Sequence, residues 1–207
     1  MSAVLSSAIA FKQLNMLPYY VSVGLGYSIT IGAVIGLVRF NKVLSTYRPF
    51  IVLLWLGFIN HTLSVILNEI IRNNSVNSNI YVLFESLIYL YLFKKWGAFN
   101  KKEILFYSYF IFLLGLWLYD NLIWHHITTI NSLFRIVYSF ILVFLSIGQL
   151  NKLIISAKKN ILYNSVFLIC TGIIIYFSYK ATLEVFFFIR LKASDQFYTN
   201  ILVILIE

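Results

Sequence analysis

The sequence predicts an all-α fold: a polytopic bundle of transmembrane helices, six full spans plus a seventh that is incomplete at the C-terminus. Three observations predict it. Hydrophobic residues make up 61% of the 207 positions and charged residues 11%, against about 25% charged in a soluble domain. A water-soluble fold of this length has too little interior for that apolar surface, so the excess must face lipid. The apolar residues also fall into runs of about 20, the length a helix needs to cross the hydrocarbon core. Finally, Lys and Arg cluster between alternate runs. These runs take up nearly all of 1–207, which is expected to form a single transmembrane domain.

The first run covers about 18–40 and carries Gly24, Ser28, Gly32 and Gly36, a stripe of small residues spaced by four. Such a stripe lets a second helix approach closely, either within the monomer or at a homodimer face. The second run, about 49–71, contains Asn60, His61, Ser64, Asn68, Glu69 and Arg72, with Asn60, Ser64, Asn68 and Arg72 on one face. The third, about 79–96, places Tyr81, Glu85 and Tyr89 on one face. If it enters the bilayer at Asn79, Glu85 lies roughly 9 Å deep by helix rise. The fourth, about 104–123, ends in Asp120 and Asn121. The fifth, about 131–151, begins with Asn131 and Arg135. The sixth, about 161–183, aligns Tyr176, Lys180 and Glu184, the last just past its end. A seventh run, about 197–207, is only half as long as a span. A carboxylate at mid-bilayer is costly, so the natural chain is expected to continue past Glu207.

The loops set an orientation. Arg39, Lys42 and Arg48 follow the first run, Lys94, Lys95, Lys101 and Lys102 the third, and Lys152, Lys158 and Lys159 the fifth. The loops between are poorer in Lys and Arg, although Arg190 and Lys192 sit in the last. The positive-inside rule then puts the N-terminus outside and the C-terminus inside. Tyr19, Tyr20, Tyr47, Trp96, Tyr107, Trp117 and Trp124 fall at the run boundaries, as interfacial aromatics do. Abundant Ile, Asn, Lys, Phe and Tyr suggest an AT-rich bacterial genome, and hence a multi-pass protein of the bacterial cytoplasmic (inner) membrane.

Several functions are set aside. The net charge of +9 is distributed as short loop clusters that suit topology rather than nucleic-acid binding. One cysteine, Cys170, permits neither a disulfide framework nor a metal-spacing pattern. Met1 to Leu17 lacks the basic start of a cleaved signal peptide. His61 is the one histidine in a span, while His125 and His126 share a loop, so no paired haem ligands arise. Lys180 is in the sixth run, not the last, which argues against a retinal pigment. Hydrolase and phosphate-loop motifs do not occur. No catalytic residue, metal ligand or cofactor is assigned, and an enzyme is not expected.

The costly polar residues gather in the outer half of the runs. Arg72, Arg135 and Lys180 face a balancing set of Glu69, Glu85, Asp120 and Glu184. One reading is structural: ion pairs and hydrogen bonds tie helix ends together, and Lys180 pairs with Glu184 one turn away. The other is a water-accessible pocket open to the outside, built from His61, Glu85, Lys180, Tyr81, Asn60 and Tyr176. His61 would titrate in it near neutral pH.

Around Asn79-Ile80-Tyr81-Val82-Leu83-Phe84-Glu85, the chain resembles small uncharacterised bacterial seven-helix integral membrane proteins with an Ile-Tyr-x-x-x-Glu motif in the third span. Asn164 to Tyr179 is similar to the sixth span of that group. The resemblance implies a seven-helix fold in which Tyr81 and Glu85 act together, and it implies no activity. The layout also resembles seven-helix sensory regions that precede bacterial histidine kinases.

The leading expectation is therefore a membrane sensory or regulatory module with an outward-facing polar pocket. One alternative is an accessory or effector protein of a bacterial CRISPR-associated defence system. Another is a small transporter or channel subunit, which the lack of an internal repeat disfavours. The expected partners are the lipid bilayer and a second copy or another membrane or cytoplasmic protein.

Overall fold

The structure is a computed structural model that describes residues 23–100, 102–123, 126–129, 132–156 and 161–188. Every regular element among these residues is helical. In chain order they are α1 (Ile29–Val38), α2 (Arg48–Ile70), α3 (Ser75–Lys95), α4 (Glu103–Leu118), α5 (Ser132–Ser156) and α6 (Ser165–Phe188). A π-helical segment, Tyr119–Ile123, extends α4. Five helices are long and apolar enough to cross a membrane: α2, α3, α4 with its extension, α5 and α6. The expected runs 49–71 to 161–183 are found there, shifted by no more than five residues at either end.

The first run behaves differently. Among the described residues it is an apolar helical stretch over Val23–Val38, and the start of the run, 18–22, lies outside them. Its hydrogen-bonding pattern is broken by a turn at Tyr27 and Ser28. The turn also breaks the small-residue stripe. A Cβ on Gly32 or Gly36 would meet Leu54 or Ile51 of α2, whereas one on Gly24 would meet open space. Ser28 is exposed at the turn. Half of the stripe thus serves close packing of α1 on α2 within the monomer. The seventh run lies outside the described residues.

Helix ends follow local chemistry. Pro49 sits in the first turn of α2, where its missing N–H has no helical acceptor to lose. After α2, Arg72 adopts a left-handed backbone at φ 56°, a conformation usually left to glycine. Asn73 Oδ1 then accepts the Ser75 N–H at 2.9 Å and starts α3 four residues earlier than expected. Asn79, where the third run was expected to begin, is therefore fully buried inside a helix. Glu85 moves with it. It stands ten residues after Ser75, about 15 Å along α3 and near its middle.

The other end of α3 is closed twice. Gly97 at φ 76° lets the Gly97 and Ala98 N–H groups turn back to the carbonyls of Lys94 and Phe93. From α5, Gln149 Nε2 donates to the Trp96 carbonyl, and Lys152 Nζ to those of Gly97 and Ala98. Side chains of α5 thus satisfy carbonyls that the helix end leaves free.

Burial separates central from peripheral helices. In α3, α5 and α6, 39% of the most apolar window is buried, against 17% in α2 and α4. The core lies among the central three and the inner face of α4, with Leu90, Phe93, Phe134, Tyr138, Leu142 and Phe177 at its heart. Large apolar side chains such as Ile35, Ile59, Ile111, Phe144 and Ile175 point outward. In water they would form a costly continuous patch; in a bilayer they face lipid.

Candidate functional site

Three charged or polar layers cross this core, and the deepest is built around Glu85. The α3 periodicity puts Tyr81, Glu85 and Tyr89 on one face, and α5 and α6 close over that face. Glu85 is 5% exposed and Lys180 of α6 is 7% exposed. Lys180 Nζ lies 3.3 Å from Glu85 Oε2. The Tyr138 hydroxyl of α5 stands between them, accepting from Lys180 Nζ at 2.5 Å and donating to Glu85 Oε2 at 2.7 Å. The Tyr81 hydroxyl donates to the other oxygen, Glu85 Oε1, at 3.1 Å.

The ammonium is also surrounded by rings. Its nitrogen lies 5.4 Å from the Phe177 centroid and 5.5 Å from that of Tyr176. Cation–π attraction thus partly replaces the hydration that the cation gave up. Tyr89 joins from the side, its ring edge-on to Phe177. The result is one charge pair, two phenols on the carboxylate and an aromatic wall. Its hydrogen bonds run from Lys180 through Tyr138 to Glu85, where the Tyr81 hydroxyl converges from the other side.

A second layer lies one to two turns away, toward the N-terminal end of α3. Arg135 of α5 reaches Glu184 Oε1 at 3.6 Å, Ser78 Oγ at 2.7 Å and Asn79 Oδ1 at 3.4 Å. Asn79 Nδ2 donates to the carbonyls of Ile127 and Thr129, and its own carbonyl accepts from Trp117 Nε1. The π-helical segment turns Asp120 and Asn121 inward, each 1% exposed. Asp120 Oδ2 accepts the Phe134 N–H, placing an anion at the N-terminus of α5.

The third set joins α2 to its neighbours. Asn77 Nδ2 donates to Asn60 Oδ1 at 2.9 Å and to Ser64 Oγ at 3.3 Å. His61 Nε2 donates to the Val23 carbonyl at 3.2 Å, and its ring stands edge-on to Tyr27. Gly26 permits this, because a Cβ there would collide with the imidazole.

Of the residues singled out from sequence, Glu85, Lys180, Tyr81 and Tyr176 are brought together. The bonds of His61 and Asn60 lead elsewhere, to the Val23 carbonyl and to Asn77. Glu85 and Lys180 turn their charged atoms on each other. The one-turn pairing of Lys180 with Glu184 is replaced by two longer-range pairs, Lys180 with Glu85 and Arg135 with Glu184. Glu69 and Arg72 are exposed at the C-terminal end of α2. Sequence reasoning missed Tyr138. The signal was available: Arg135, Ser139, Leu142, Ser146 and Gln149 repeat at helical spacing and mark the buried face of α5, on which Tyr138 lies.

Five membrane-length helices around an ion-paired core define a helical membrane protein with a polar centre. Compared with family models, with curated proteins and with solved structures, the chain finds no match.

Proposed function

We propose that this protein is a membrane sensory or regulatory module whose switch is the Glu85–Tyr138–Lys180 cluster. It would lie in the bacterial inner membrane with α2–α3 and α4–α5 connected on the outside. The observation that carries this is the link from Glu85 at the middle of α3 to Lys180 of α6. Each charge is sheltered by the other, so separating the two exposes both to a medium of low dielectric. Such a pair has two arrangements, closed and hydrated, and few between. Opening it would part α3 from α6 and form the outward-facing polar pocket. An outside ligand that preferred the open arrangement would shift the balance by its differential affinity.

Two measurements test this. In a Cys170→Ala background, spin labels at Lys95→Cys and Tyr163→Cys report the distance between the inner ends of α3 and α6 in lipid nanodiscs. Adding Glu85→Gln should broaden or shift that distribution; an unchanged one sinks the switch. In intact cells, a membrane-impermeant maleimide should label Asn73→Cys and spare Lys42→Cys. The reverse pattern overturns the orientation.

A further inference from the structure

Arg135 and Lys180 are buried and ion-paired. Six other cations, Arg39, Lys42, Arg48, Lys94, Lys95 and Lys102, form no ion pair among the described residues. These six gather at one end of the bundle, where α2 and α4 begin and α3 ends. Ring contacts join the helices there. Tyr47 before α2 meets Trp96 after α3 at 6.3 Å, and Lys94 reaches from α3 to Phe106 and Tyr107 of α4. Glu103 is the one acid at this end among the described residues. The end is thus strongly positive and short of counter-ions.

Where α3 and α4 meet, the lysines stand over rings. Lys94 Nζ lies 4.3 Å from the Phe106 centroid and 5.1 Å from that of Tyr107. Lys95 Nζ lies 5.4 Å from the Tyr91 centroid on its own helix. Lys102, exposed, directly precedes α4. Such rings hold an ammonium at the edge of an apolar surface, as snorkelling lysines are held at a membrane interface. That apolar surface continues from the lysines toward the middle of both helices. On α3 it is Tyr91 and Phe84, and on α4 it is Ile104, Tyr107 and Ile111, all exposed. Helical spacing keeps each set on one face. Cations therefore cap two outward apolar stripes on the helices that Lys94 joins.

We propose that this α3–α4 end binds an anionic phospholipid, with its phosphodiester on Lys94, Lys95 and Lys102 and its acyl chains along the two stripes. The match is of charge and of polarity together. A phosphodiester supplies the counter-ion that the lysines lack, and the chains cover side chains that water would not cover favourably. A zwitterionic headgroup carries its own ammonium toward three lysines and is disfavoured. A soluble phosphate has no chains and meets only the charged half of the site. The site uses no residue of the Glu85–Lys180 cluster, and it holds whichever side of the membrane this end faces.

The test reads which lipids stay with the purified full chain. Nanodiscs are built from an equimolar mixture of phosphatidylcholine and phosphatidylglycerol, and native mass spectrometry identifies the lipids retained on release. Phosphatidylglycerol should be retained in preference. A lysine near an anionic surface strengthens attraction about fivefold, so Lys94→Gln with Lys95→Gln should lower that preference about thirtyfold. Arg39→Gln with Lys42→Gln removes the same charge from the same end and should change it little. Equal losses in the two double variants would overturn the site and leave only a diffuse surface charge; so would a wild type without preference. A second readout needs no variant to fold. Photoactivatable phosphatidylglycerol should cross-link the wild type within 84–95 and 102–111, and cross-links confined to other helices would overturn the site. Dissolved glycerophosphoglycerol, the same headgroup without chains, should not displace the lipid. Displacement would assign the lysines to a soluble anion and overturn the lipid.

Discussion

Removing either member of the Glu85–Lys180 pair should destabilise the protein, and removing Glu85 should cost more. The two are 3.3 Å apart. At an effective dielectric of about 20, their attraction is about 5 kcal/mol. Deleting one partner of such a buried pair leaves the other charge stranded, which costs about 3–5 kcal/mol. The two ends differ in what remains. In Lys180→Met, Glu85 keeps the Tyr81 and Tyr138 hydroxyls as donors at 3.1 and 2.7 Å. A hydrogen bond to a charged group contributes about 1.5–3 kcal/mol, so this variant should fall near the low end of the range. In Glu85→Gln, Lys180 keeps the Tyr138 oxygen, the weaker amide oxygen and two ring faces. It should fall near the high end. The double variant strands no charge and should lose less than the sum of the two, with a coupling of about 2–3 kcal/mol. The readout is thermal exposure of Cys170, the single cysteine, fully buried in α6, to a thiol-reactive dye. Equal losses in the single variants, or strict additivity in the double one, would refute the reasoning.

Other substitutions probe single contacts. Tyr138→Phe removes a hydroxyl that bridges both charges and should cost about 2–3 kcal/mol, whereas Tyr81→Phe removes one donor and should cost about 1 kcal/mol; the same dye assay ranks them. Gly26→Ala drives a methyl into the His61 ring and should cost about 1–3 kcal/mol, whereas Gly24→Ala, facing open space, should change the midpoint little or raise it.

The length and order of α2 to α6 were legible because apolar runs are limited by bilayer thickness and each ends at polar or basic residues. The start of α3 was not, because Asn73 and Asn79 look alike in composition. One accepts the Ser75 N–H from the turn before the helix, and the other is buried inside it. The break at Tyr27 was hidden for a related reason. The small residues Gly24 to Gly36 keep helical spacing in the sequence, but the turn rotates the first of them away from α2. Glu85, Tyr81 and Lys180 were legible as a set because ions within apolar runs must find partners. Their pairing was not, since a sequence shows Glu184 one turn from Lys180 and cannot show α3 at the same depth.

The layering also explains why α4 ends in a π-helical segment. A regular α-helix places consecutive residues 100° apart, so Asp120 and Asn121 would diverge around its surface. The wider turn of a π-helix brings successive side chains closer to one face. Both are then 1% exposed, with Asp120 holding the Phe134 N–H and Asn121 held by Trp117. The segment thus commits two polar residues to the layer around Arg135 and Asn79, in a helix that buries little else.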